Sequence, residues 1–227
     1  MHATLPFLPY IVGGLAVTIL ASLVTFACAV AIGLAATLWM TTGHPAAGPI
    51  VRAYVAIFRS LPELLCIFLV YYGCEIALQK AAVSFGFRPI PISPFLAVTV
   101  AIGVQFGAYS VQIFSDAHRS INPGLFEAAH ALGLSPRKVT TRVAIPLILQ
   151  AAIPGLSNLF SVMLKVSALA SVIGLEEVTR RAKIVAGSTR EPFAAYAVAV
   201  VCFLVIAAAA ALLQARLERS FRSTREA

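Results

Sequence analysis

The sequence predicts an all-α integral membrane protein with five transmembrane helices, and three observations carry that prediction. Only 11% of the 227 residues are charged and 60% are hydrophobic, where a soluble domain carries roughly 25% charged residues; mean hydropathy is +0.92. Five apolar stretches are each long enough to cross about 30 Å of hydrocarbon. Between the third and fourth lies an island, Glu127 to Pro146, that is too polar and too proline-broken to span a bilayer.

The first span runs near Tyr10 to Trp39. No charged residue precedes Arg52, so the basic region of a secretory signal is missing and this segment is expected to remain uncut. The second covers about Leu61 to Leu78, with Arg59 and Glu63 expected as a local pair around Pro62 at its inner end. The third runs about Phe95 to Phe114. It carries Gln105, Tyr109, Gln112 and Asp116 at helical spacing along one face, either as a path for polar solutes or as plain interhelical hydrogen bonds. Gly103 and Gly107, four apart, point to close helix packing. Pro89, Pro91 and Pro94 mark an outer turn before it.

The fourth span falls near Ile153 to Ile173, with a break or kink expected at Pro154 and Gly155. Lys165 lies within it, and a charge at that depth faces a cavity or finds a partner. Ser157, Asn158 and Ser161 share its face. Either Lys165 lines a path and meets a carboxylate, or it forms an ion pair with Glu63 or Asp116. The segment from Glu176 to Pro192 reads as a short surface helix and loop. The fifth span is near Ala194 to Leu213, and the tail, about 214–227, reads as a helix running out into water. With no internal repeat, residues 1–227 form one domain.

Charge sets topology. The net charge is +8 and the pI about 9.7, but the basic residues lie in loops and the tail, which excludes nucleic-acid binding in favour of topology signals and contact with membrane lipid headgroups. An outside N-terminus puts Arg52, Arg59, Arg119, Arg137, Lys138, Arg142, Arg216, Arg219, Arg222 and Arg225 inside. Lys80, Arg88, Arg180, Arg181, Lys183 and Arg190 are then outside. The bias favours N-terminus out and C-terminus in. Cys28, Cys66, Cys74 and Cys202 all lie in apolar runs and read as small core residues. They form no CxxC pair, the four histidines are scattered, and neither set supports a metal site.

The island supplies the sharpest local signal. Asn122-Pro123 is an N-cap followed by proline at the first helical position. Leu125, Ala128, Ala129 and Leu132 recur at helical spacing, and Gly133 closes the helix as a left-handed stop. A second start follows at Ser135-Pro136. So short a helix is marginal by itself and needs a surface to dock on; in a membrane protein that surface is most simply a partner chain.

The spacing of Glu127-Ala128-Ala129, Gly133, Val143, Ile145 and Pro146 resembles the EAA loop of ABC importer permeases. The likeness covers most of the chain. YVAIFRSLPELLCIFLVYYG (Tyr54 to Gly73) is similar to the polar amino-acid group, in its histidine, octopine and nopaline branch, and so are SPFLAVTVAIGVQFGAYSVQIF and IPGLSNLFSVMLKVSALASVIGLEEVTRRA. The resemblance implies a type I ABC importer permease fold with a cytoplasmic coupling helix inside a loop of about 117–147. Glu127, Ala128, Ala129, Leu132, Gly133 and Pro146 would couple to the ATPase; the less favoured alternative is that Glu127 is merely a solvated residue interacting with the helix N-terminus. Arg137, Lys138 and Arg142 would meet either ATPase acids or headgroups. Lys165, Gln105, Tyr109, Gln112, Asn158 and Ser161 are the candidate substrate path.

What the resemblance implies is an importer of polar amino acids or opine-like derivatives in the bacterial inner membrane. Its partners would be two cytoplasmic ATP-binding subunits, an external substrate-binding protein and a second permease, a heterodimer being favoured. The chain has no GxxxxGK[ST], so it is expected to be no enzyme itself: it would hold no cofactor, and ATP and magnesium would belong to the partner. Ser60, Gln112, Val166 and Phe114-Ser115-Asp116 depart from the family pattern and leave substrate identity open. The rival reading is an ion-coupled secondary carrier or channel, which would leave the island unexplained.

Overall fold

The computed structural model describes residues 3–88 and 91–223, with side chains beyond Arg216 described only at Arg219. Pro89 of the outer turn, the Arg222 side chain and Arg225 lie outside the described residues. The described chain is helical: α1 (Leu8–Val12), α2 (Gly14–Thr41), α3 (Ala47–Ser60), α4 (Glu63–Phe68), α5 (Cys74–Ser84), α6 (Pro94–Arg119), α7 (Pro123–Ala131), α8 (Pro136–Val139), α9 (Ile145–Val166), α10 (Val178–Thr189) and α11 (Pro192–Ser223). Wider π turns join α4 to α5 and α8 to α9, and a 3₁₀ segment follows α9. Five helical stretches can cross a membrane: Leu5–Thr41, Glu63–Ser84, Pro94–Arg119, Pro136–Ile173 and Pro192–Arg216.

The third span, α6, is the axis of the bundle and packs against α2, α3, α4 and α9. Small residues let α2 come close to it. A β-carbon at Gly33 would overlap Ser110 Cβ and sit 2.8 Å from the Ser110 carbonyl carbon. One at Gly107 would meet Ile32 Cγ2 at 2.8 Å, whereas one at Gly103 would stop 3.2 Å from Cys28 Cβ. The paired glycines of the third span therefore serve close packing, the main source of helix association where lipid tails are as apolar as leucine. Three of the buried hydroxyls on α2 are satisfied within their own helix: Thr18, Ser22 and Thr37 donate to the carbonyls of Gly14, Thr18 and Gly33 at 3.1, 2.7 and 2.9 Å, whereas buried Thr25 Oγ1 has no hydrogen-bond partner among the described residues.

Several expectations are corrected. The fourth span starts well before Ile153, and no break occurs at Pro154, which lies inside α9. Packing explains the continuity, because Gly155 lets Ile113 of α6 approach so closely that a β-carbon there would be 2.8 Å from Cγ2. Close packing of this kind supports a proline inside a membrane helix, although an isoleucine supplies no hydrogen bond in place of the missing N–H. The irregular turn comes earlier, at Thr140–Ala144, directly before Pro146, whose ring removes one rung of the ladder. The second span is preceded by α3, an amphipathic helix with Ala47 and Val51 buried. Cys74 is exposed and Cys28 half-buried, while Cys66 and Cys202 are core residues. A sequence-based hydropathy reading cannot separate a residue facing lipid from one facing a helix.

The segment after the fourth span is more than a surface helix. α10 packs on α1 and α11 through Val178, Ala182 and Val185, all buried. Glu177 caps it, accepting from the backbone N–H of Thr179 at 2.9 Å and of Arg180 at 2.8 Å. Burial pushes the Glu177 carboxyl above its ordinary pKa, only partly opposed by those two hydrogen bonds.

Candidate functional site

Two features of the bundle carry chemistry that the spans alone would not need. The first is α7. The Asn122 side chain accepts from Gly124 N–H at 2.9 Å, and Pro123 opens the helix. Gly133, at φ +77°, ends it, with Gly133 N–H donating to His130 O at 2.9 Å and Leu134 N–H to Ala129 O at 3.2 Å. Those bonds satisfy carbonyls that the helix end leaves open.

One side of α7 faces the bundle. Ala129 is buried, Phe126 packs on the cluster around Phe114 and Ile148, and its ring centroid is 5.8 Å from that of His118. The other side faces away: Leu125 is 48% exposed, Leu132 82% exposed, and Glu127 and Ala128 are exposed. The predicted apolar set is thus divided, with Ala129 holding the helix down and Leu125, Ala128 and Leu132 forming an outward stripe. Pro146 is exposed at the start of α9.

The second feature is a cleft of about 360 Å³ lined by Arg59, Glu63, Phe106, Tyr109, Gln112, Ile113, Gly155, Asn158, Leu159 and Val162. Three elements converge there: the α3–α4 break, the middle of α6 and the middle of α9. Leu61 and Pro62 are extended, with ψ of 135° and 136°, so Arg59 and Glu63 are not on one helix. The expected local pair is therefore not formed. Arg59 lies instead over the Tyr109 ring, 5.1 Å from its centroid, a cation–π contact. Gln105 is fully buried and donates from Nε2 to Leu61 O at 2.6 Å. It satisfies the carbonyl at the break and so fixes where Arg59 and Glu63 stand.

Of the six candidate path residues, Tyr109, Gln112 and Asn158 line this cleft. Gln105 sits behind it. Ser161 donates to Gln214 Oε1 of α11 at 3.1 Å, and Gln214 Nε2 donates to Ser157 O at 2.8 Å. Lys165 is exposed at the end of α9. It forms no ion pair with Glu63 or Asp116; Asp116 accepts from Gln112 Nε2 at 2.9 Å and faces Arg119 at 3.8 Å. The polar face of the third span therefore divides by depth into a buried clamp, a cleft wall and an exposed acid. Arg59 and Glu63 are the lining residues that sequence reasoning assigned to a mere pair. Their signal was Pro62 between them, which disfavours one continuous helix by pushing Leu61 to extended backbone.

A model of the family described as "Binding-protein-dependent transport system inner membrane component" matches residues 29–223. The chain belongs to that family. The HisQ permease protein of the histidine/lysine/arginine/ornithine transport system of Salmonella typhimurium is 34% identical over 195 residues, 86% of this chain and 84% of that protein. The nopaline permease NocQ of Agrobacterium fabrum is 39% identical over 155 residues, 67% of this chain and 66% of the relative. Among solved structures, an amino acid ABC transporter with histidines superposes with a TM-score of 0.79 at 27% identity, covering 96% of both chains. The protein is a multi-pass inner-membrane permease subunit with the importer permease fold, and is not itself the ATPase. The ion-coupled carrier or channel is not favoured.

Proposed function

We propose that this permease moves polar amino acids or opine-like amino-acid derivatives inward and is driven by a separate cytoplasmic ATP-binding subunit docked on α7. The observation that carries the proposal is the outward stripe of Leu125, Ala128 and Leu132 beside Glu127, on a short helix that is pinned from behind. An apolar stripe of that length matches a groove in a soluble partner better than open water. Gly133 and Pro146 set the exits on either side. ATP and magnesium are used in two copies of the partner. The N-terminus is outside and the C-terminus inside.

The cleft is the proposed solute path. Tyr109, Gln112 and Asn158 offer neutral hydrogen-bonding groups, and Arg59 and Glu63 offer unlike charges that a zwitterion can address separately. Gln105 and Ser161 support the path from behind, and Lys165 lies toward its outer end. The substrates named for the relatives support an amino-acid cargo. A second permease subunit is the expected partner, and the likeness to the histidine, octopine and nopaline branch favours a different chain over a second copy.

The test is ATP-dependent uptake of labelled histidine, arginine and octopine by proteoliposomes holding the copurified complex with its external binding protein. Leu132→Glu is expected to abolish uptake and ATPase copurification while membrane insertion stays normal. Retained copurification with Leu132→Glu would overturn the docking assignment, and uptake without any ATPase chain would overturn the proposal as a whole.

A further inference from the structure

We infer that Phe126, seated against His118, is the pin through which a movement of α7 reaches the solute cleft, and that His118 sets the balance between two positions of that pin. This role rests on the proposed reading of α7 as the ATPase dock and of the cleft as the solute path.

α7 touches the bundle at few points. Of its nine residues only Phe126 and Ala129 are not exposed. Ala129 offers one methyl. Phe126 is the large side chain that turns inward, and among the described residues of α7 it alone packs on the inner cluster of Phe114, Ala117, Ala144, Ile148 and Ala152. A push on α7 is therefore delivered to the bundle through that ring.

The backbone beyond α7 is a poor transmitter. Thr140 and Thr141 donate back to the carbonyls of Pro136 and Arg137 at 3.0 and 2.9 Å, side-chain bonds of a kind that bend helices. The chain then runs through the π turn Thr140–Ala144, and Pro146 omits a rung of the ladder directly after it. This connection bends easily, so movement of α7 reaches the membrane part of α9 by contact rather than along the chain.

The inner cluster continues to the cleft. Ile113 packs on the cluster and also lines the cleft. Gly155, another lining residue, leaves it no slack: a β-carbon there would be 2.8 Å from Ile113 Cγ2 and 3.3 Å from Cγ1. A close-packed interior has few voids to take up a displacement. Phe126, the inner cluster and Ile113 thus form one packed route from α7 to the cleft wall.

His118 gives this route two states, which contact alone does not supply. It sits in the last turn of α6, its ring centroid 5.8 Å from that of Phe126 with an interplanar angle of 49°. Nδ1 is buried and has no hydrogen-bond partner among the described residues. In either neutral tautomer each ring nitrogen is a donor or an acceptor, so leaving it buried beside Phe126 is costly. A shift of the Phe126 ring away from His118 opens Nδ1 to a partner and gives up apolar burial in exchange. The two costs oppose each other, so the pin has two positions of similar free energy.

The experiment uses the full complex with its external binding protein in proteoliposomes, and measures uptake of labelled histidine, arginine and octopine together with ATP hydrolysis. Phe126→Ala is expected to keep the ATPase copurified and hydrolysing, while cargo moved per ATP falls about tenfold or more. Phe126→Met refills the site with a flexible apolar side chain and should restore most of that ratio. An unchanged ratio in Phe126→Ala overturns the inference. Loss of the ATPase in that variant also overturns it, and assigns Phe126 to the docking surface alone. His118→Leu separates a switch from plain packing. It removes the unpartnered nitrogen and keeps an apolar contact, so Tm should rise while uptake slows about fivefold, because the position seen here is then favoured. Uptake that is unchanged or faster in His118→Leu overturns the inference even where Phe126→Ala fails to assemble. Leu132→Glu tells the two readings apart. If it loses the ATPase while the Phe126→Ala ratio is unchanged, the docking stands and only the pin fails; if it retains the ATPase, the docking itself fails.

Discussion

Replacing Gly33 by alanine tests the α2–α6 contact that organises the bundle. The added methyl would overlap Ser110 Cβ and lie 2.8 Å from Ser110 C and 3.0 Å from Val111 N. Carbon atoms sit comfortably at about 3.5–4.0 Å, so the two helices must part by about 1 Å. Two of the obstructing atoms are backbone, and no rotamer change relieves them. Overpacking of this kind costs about 3 kcal/mol, the upper part of its usual range. Gly→Ala in a helix returns about 1 kcal/mol, leaving a net loss of about 2 kcal/mol. For a chain of this size that lowers Tm by about 4–8 °C. Gly103→Ala is the control: its nearest neighbour is Cys28 Cβ at 3.2 Å and the next is at 3.8 Å. A shift of a few tenths of an ångström accommodates it, and Tm should move by no more than about 2 °C. Thermal unfolding in detergent, followed with a thiol-reactive dye that reports exposure of buried Cys66 and Cys202, measures both. Equal Tm values for the two variants would refute the packing argument.

Other outcomes follow from the same structure. Gln214→Leu removes the hydrogen bonds to Ser157 O and from Ser161 Oγ that join α11 to α9; it should cost about 1 kcal/mol, read as a Tm lower by about 2–4 °C. Gly133→Val strains a left-handed turn at φ +77° but meets no neighbour within 4 Å, so the chain should still insert, while uptake falls about tenfold or more for a coupling step misplaced by about 1 Å. Glu177 has a folded pKa raised by burial, so the folded state binds the proton more tightly than the unfolded chain. Its stabilising contribution is complete below the unfolded value and is lost as pH rises through the raised folded value. Unfolding stability should therefore fall across that window in the wild type, and Glu177→Gln, which keeps an acceptor for the cap, should lose that slope; an identical pH profile for the two would refute the assignment.

Composition and local pattern by themselves determined the membrane class, the number of spans and both ends of α7. Hydropathy is a sum over a stretch of sequence, and caps such as Asn122-Pro123 and Gly133 act within a few residues, so no distant partner is needed to read them. Only the tertiary structure decided which polar groups meet. Arg59 and Glu63 are four apart in sequence, yet the extended Leu61-Pro62 step separates them and Gln105 of α6 locks that step. Pro154, a breaker in the sequence, continues a helix because Ile113 supports it. Cys74 and Cys202 both lie in apolar stretches, and one faces outward while the other is buried. The physical reason is common to all three: lipid and protein interior are equally apolar, so hydropathy sorts residues into the membrane but leaves the choice of face to packing between helices far apart in sequence.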